Sequence, residues 1–84
     1  MPHATEVQHA ERAAFGASVR RLREAITDER GRKLTQEGLA HRAELERSYI
    51  GQIESGKRNV TLDNIHRLAR ALGVHPAELF GEDR

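Results

Sequence analysis

The sequence has no cysteine and no tryptophan, one tyrosine, two phenylalanines and two prolines, and no long apolar run. Without cysteine there is no disulfide framework, no thiolate metal site and no cysteine nucleophile, which fits a reducing compartment. No stretch approaches the roughly 20 apolar residues that cross a bilayer. Met1 to Ala10 contains no hydrophobic segment of the signal-peptide kind. A cytoplasmic protein without a membrane partner is therefore expected. So few aromatic rings leave little on which unpaired bases could stack, which argues against a single-strand or RNA reader. The five histidines lie on different elements without ligand spacing, the carboxylates form no facing pair, and Ser48 has no evident base to activate it. Neither an enzyme nor a metal or other cofactor is implied.

What is present is one small domain. The 84 residues carry 14 Lys and Arg against 13 Asp and Glu, a net charge of +1, and that near-neutral total hides a gradient. Residues 1–11 carry two acids and no base. Residues 12–58 carry eleven bases and seven acids, and residues 59–84 carry three bases and four acids. A basic middle suits nucleic acid, although a solvated helical face gives the same count. A core this small stabilises weakly without staples or a partner subunit, so dimerisation is expected.

Apolar periodicity predicts an all-α chain of five short helices. Residues 1–10 read as a flexible tail, able to join the first helix from about Thr5, and residues 11–84 read as the domain. Phe15, Val19, Leu22 and Ile26 share one helical face. Gly31 marks a break, Thr35 is placed to cap a second helix, and Leu34 to staple against Leu39. A third helix begins near Arg47 and carries Ile50 and Ile53 inward. Gly56 suits a left-handed stop. Thr61 caps a fourth helix with an inward stripe of Leu62, Ile65, Leu68, Ala69 and Leu72. His75 is placed to cap a fifth helix that has Pro76 at its first position and bears Leu79 and Phe80. These last apolar residues, with Val74, complete the core or form part of a dimer contact.

Two short helices joined by a tight turn make a helix-turn-helix, whose second helix can lie in the DNA major groove. Such a pair requires a small residue where the helices cross (Ala40), a filler under the turn (Leu45) and inward anchors on the second helix (Ile50 and Ile53). An ordinary helical bundle satisfies the same apolar pattern.

The segments Leu34-Thr35-Gln36-Glu37-Gly38-Leu39-Ala40, Ser48-Tyr49-Ile50-Gly51-Gln52-Ile53-Glu54-Ser55-Gly56-Lys57-Arg58-Asn59 and Ala71-Leu72-Gly73-Val74 together resemble the phage repressor and Cro family of helix-turn-helix proteins, the xenobiotic-response-element type. The resemblance covers about residues 12–80 and is greatest to short stand-alone regulators, including controller proteins of restriction-modification systems. It implies a five-helix, lambda-repressor-like DNA-binding domain acting on transcription as a homodimer, on a near-palindromic site in double-stranded DNA. RNA polymerase would be a further partner if the protein activates.

By the same resemblance Gln36 would hold a phosphate at the start of the second helix. Arg47, Ser48 and Gln52 match positions that face base edges: Arg47 suits guanine, Gln52 adenine, and Ser48 either. Gly51 would permit close approach. Tyr49 would contact a phosphate or pack against the turn, and Lys57, Arg58 and Asn59 match a loop that grips the backbone. Arg23 and Glu54 match a buried ion pair. Three positions depart from the pattern. Glu44 replaces the usual turn glycine, Glu46 stands where a Ser, Thr or Asp normally caps, and Gly38 replaces a helix former. The link before Leu34 is about six residues longer than usual, for which a longer first helix is the expected reason. A rival reading is an antitoxin or mobile-element interaction module, with the tail or Gly81 to Arg84 as its only candidate partner-binding segments.

Overall fold

A computed structural model describes residues 3–81. Four α-helices and one closing 3-10 turn succeed one another: α1 (Ala4–Glu24), α2 (Gln36–Ala43), α3 (Arg47–Glu54), α4 (Leu62–Leu72) and the turn Pro76–Phe80. The expected class is all-α, and no strand occurs among the described residues. The expected fifth α-helix is instead the 3-10 turn. The segment between the His75 cap and Gly81 is five residues long, and in it the Glu78 N–H bonds the carbonyl three residues back, that of His75, at 2.9 Å. The boundary expected at residue 10 falls inside α1, whose residues 4–11 are all exposed. Residues 1–2 of the expected tail, and 82–84 of the candidate partner-binding segment, lie outside the described residues.

Side-chain caps mark the starts of α2, α4 and the closing turn. Thr35 Oγ1 accepts from the Gly38 N–H at 2.9 Å, and Thr61 Oγ1 from the Asn64 N–H at 3.2 Å. His75 Nδ1 accepts from the Ala77 N–H while the Glu78 carboxylate accepts from the His75 N–H. Leu62, expected inward, is 69% exposed. It occupies the first turn of α4, and Val60, just before the cap, packs against the core there instead.

The core is one cluster centred on Val19, Leu39, Ile50, Ile53, Leu68 and Leu79, all essentially inaccessible. Burying each contributes about 1.5–3 kcal/mol. α1 packs across α3 and the closing turn, and α2 packs against α3 and α4. The crossing of α1 over α3 is possible because residue 16 is glycine: a Cβ there would collide with the backbone carbonyl of Ile53.

The long link is not an extension of α1, which stops at Glu24. Residues 25–35 form a loop closed by an antiparallel bridge between Thr27 and Lys33. Asp28 organises it, its carboxylate accepting from the backbone N–H groups of Arg30 and Arg32 and from Arg32 Nε at 2.8–2.9 Å. A short carboxylate that bonds nearby backbone competes with the helix for those donors, which is why the helix does not continue. Ile26, expected on the helical face, reaches the core from this loop. Among the described residues, no helix is long and apolar enough to cross a membrane.

Candidate nucleic-acid interface

The helix-turn-helix begins with how its second helix is held. Ala40 and Ala43 are buried where α2 meets α3, and the Leu45 N–H bonds the Ala40 carbonyl at 2.9 Å. Glu44 takes the position of the usual glycine and adopts the left-handed conformation, φ 59° and ψ 43°. Its carboxylate points to solvent, where Arg67 Nη1 lies 3.5 Å away. Glu46 sits in the N-cap position of α3 but makes no side-chain cap. The first turn of α3 therefore has no side-chain cap, although the Tyr49 N–H bonds the Glu46 carbonyl at 3.1 Å.

Ile50 and Ile53 anchor α3, and Glu54 locks its end. The Glu54 carboxylate receives Arg23 Nε at 2.7 Å, Arg23 Nη2 at 2.9 Å and Gln36 Nε2 at 3.0 Å, while Arg23 Nη1 donates to the Leu34 carbonyl at 2.8 Å. The two charged side chains are only 9% and 4% exposed. The hydrogen bond to Glu54 raises the Arg23 pKa despite the opposing effect of burial, so the guanidinium stays charged. This bidentate pair ties α1, α2 and α3 together.

With Ile50, Ile53 and Glu54 turned inward, α3 leaves Arg47, Ser48 and Gln52 exposed and Gly51 partly so. Among the described residues, the side chains of Arg47 and Ser48 make no internal hydrogen bond and are available to a partner. Gly51 has open space: a Cβ would meet only Gln36 Oε1, at 3.7 Å. Gln36 itself is half-buried and donates one amide proton to Glu54, which leaves its second amide proton outside that bond. After α3 the chain turns at Gly56, φ 78°, and the Lys57 N–H returns to the Gln52 carbonyl at 2.8 Å. Lys57, Arg58 and Asn59 follow, all exposed beside the helix end.

Two of the candidate residues are engaged within the chain, and for Tyr49 that is the packing alternative. Tyr49 is half-buried and its hydroxyl accepts from Asn64 Nδ2 at 3.0 Å, so packing occupies this side chain. Arg58, expected on the DNA backbone, folds back: its guanidinium lies 4.9 Å from the Tyr49 ring centroid, and its Nε donates to Gln52 Oε1 at 2.6 Å. Sequence reasoning missed Asn64 and Gly16. For Gly16 there was a signal, an isolated glycine inside a helical pattern, which commonly marks close packing. Among the described residues, no cluster of His, Asp or Glu could hold a metal ion.

The geometry is thus an exposed polar helix face, one uncapped helix N-terminus and a basic loop at the other end. The helix-turn-helix family pattern matches residues 19–79. Control protein C.BamHI of Bacillus amyloliquefaciens is 44% identical over 69 residues, 82% of this chain and 79% of that protein. Control protein C.MunI of a Mycoplasma species is 40% identical over 81% of this chain and 85% of its own length. The crystal structure of the restriction-modification controller protein C.AhdI from Aeromonas hydrophila superposes with a TM-score of 0.74 at 48% identity, covering 84% of this chain and 98% of that one.

Proposed function

The chain belongs to the helix-turn-helix family, of the phage repressor and Cro type, and from that membership we propose that it acts as a homodimer on a near-palindromic operator, as a restriction-modification controller. It is a DNA-binding transcription regulator. The observation that carries the reading is α3: locked on one side by Ile50, Ile53 and the Glu54 pair, and open on the other through Arg47, Ser48, Gly51 and Gln52. A helix held this rigidly can present side chains to base edges without first paying for its own ordering.

In this reading the α2 N-terminus with Gln36 and, from the loop, Lys57 and Asn59 hold phosphates on either side, while Arg47 and its neighbours specify bases. Two-fold symmetry follows from the size of the site, since one α3 spans only a few base pairs and a second copy one DNA turn away doubles it. Exposed Leu62 and Phe80, at 69% and 57%, lie on the last two helical elements and supply apolar surface for that contact. Activation would add a contact with RNA polymerase, whereas repression needs occupancy alone.

The test is a titration of duplex DNA from upstream of the protein's own gene, at two salt concentrations, with the mass of the complex measured by sedimentation. Two chains per operator and a competitor-resistant complex are expected. One chain per operator would overturn the homodimer, and equal affinity for unrelated duplex would overturn specific recognition.

A further inference from the structure

Arg58 does not lie free on the surface. Its Nε–H meets Gln52 Oε1 at 2.6 Å, its guanidinium covers the Tyr49 ring at 4.9 Å, and Asn64 Nδ2 fixes the Tyr49 hydroxyl at 3.0 Å. Tyr49 and Gln52 are three residues apart and so share one face of α3. A chain of contacts therefore runs from α4 through Tyr49 and Arg58 to the amide of Gln52.

That chain decides which way the amide points. Oxygen and nitrogen of a glutamine amide are usually assigned from their partners, and here the partner allows one choice. An arginine Nε–H can only donate, so the amide oxygen faces Arg58 and the Nε2 donors are left for DNA. We propose that Arg58 is a positioning residue for base recognition, and that with it Gln52 forms a donor-only pair that selects guanine rather than adenine. This proposal rests on the DNA-binding reading above.

The chemistry follows from the base edges. Adenine shows an N7 acceptor beside an N6 amino donor, so bidentate reading by glutamine needs the amide oxygen to accept from N6. Here that oxygen already accepts from a cation, and the amino group would approach positive charge. Guanine shows two acceptors, N7 and O6, which both suit Nε2–H and the adjacent guanidinium. The adenine preference expected for an unconstrained Gln52 is thereby reversed.

Selection from a randomised duplex pool, followed by competition with single-base variants of the enriched site, tests this with the full chain and with Gln52→Ala and Arg58→Ala. At the position where Gln52→Ala loses its preference, the unmodified protein should favour guanine over adenine by about tenfold, within the range of one bidentate contact. Arg58→Ala should abolish or invert that preference there and leave the preferences at other positions intact. Adenine at that position, or an Arg58→Ala protein that binds every duplex more weakly with its guanine preference intact, would overturn the proposal. Failure of the unmodified protein to enrich any sequence would refute DNA reading as a whole, a different result. Independently of DNA, the Arg58 Nε–H proton resonance of the free protein should move toward the position of solvated arginines in Gln52→Ala. An unchanged resonance would show that the pair does not form.

Discussion

Replacing Glu54 by alanine should cost more than any other single side-chain truncation on the helix-turn-helix. The carboxylate accepts three hydrogen bonds, two from Arg23 and one from Gln36, and both members of the ion pair are more than nine-tenths buried. In Glu54→Ala the Arg23 guanidinium keeps its bond to the Leu34 carbonyl and a longer contact with the Glu24 carboxylate at 3.9 Å, but loses the hydrogen-bonded, buried counter-charge. Breaking a buried pair from one side costs about 3–5 kcal/mol, because the surviving charge is left uncompensated. Whole-domain stability is about 5–15 kcal/mol, so much of it would go. At about 4–8 °C per kcal/mol for a domain of this size, the midpoint should fall by about 12–40 °C. Thermal and urea denaturation followed by circular dichroism at 222 nm measure both quantities. Replacing both partners by methionine should recover much of the loss, since two apolar groups leave no charge unpaired. The exposed Arg20 and Glu24 pair, one turn apart on α1, provides the control: Arg20→Ala should leave the curve nearly unchanged. A Glu54→Ala protein that melts with the parent would refute the claim that this pair joins the three helices.

Glycines give two opposite expectations. Gly16→Ala should destabilise by about 1–3 kcal/mol or more, because its Cβ meets the Ile53 carbonyl of α3 and the helices must separate; a higher melting midpoint would contradict the crossing. Gly51→Ala meets nothing closer than 3.7 Å, so helix propensity should stabilise the protein by about 1 kcal/mol. The same methyl should weaken operator binding in an anisotropy titration, and unchanged affinity would show that DNA does not approach Gly51 closely. Hydrogen bonds from the Arg32 and Arg30 backbone and from the Arg32 guanidinium hold Asp28 below its ordinary value of 3.8. Stability from a depressed carboxylate is present above that value and lost as pH falls through the lower folded one. Amide exchange at Arg30 and Arg32 should therefore become less protected, relative to the core, on acidification below pH 3.8, and protection should be lost at all pH values in Asp28→Ala. Unaltered protection in that variant would show that Asp28 does not hold the loop.

Local chemistry was legible in the sequence wherever it depends on near neighbours. Thr35, Thr61 and His75 cap as expected because a cap spans three residues, and Ile50 and Ile53 are buried because helical spacing puts them on one face. The Arg23 and Glu54 pair came only from the family resemblance, since periodicity says nothing about which residues 31 positions apart meet. Gly16 carried a signal as an isolated glycine in a helical pattern, but which helix passes over it is set by the fold. The 25–35 link was misjudged because Asp28 bonds backbone that only a folded loop brings to it. Arg58 read as a loop cation until the turn at Gly56 placed it against Gln52, a contact that depends on the path of the chain and not on spacing.

In the function proposed for this chain, the outer face of α3 reads bases while Lys57, in the loop after it, holds a phosphate. Binding constants of Arg47→Ala and Lys57→Ala for the operator and its single-base variants, at several salt concentrations, test it most directly. Arg47→Ala should lose about 1–3 kcal/mol of discrimination at one base pair of each half-site, whereas Lys57→Ala should weaken all duplexes alike and lower the salt slope by about one. An Arg47→Ala protein that binds less tightly but keeps every base preference would contradict the account.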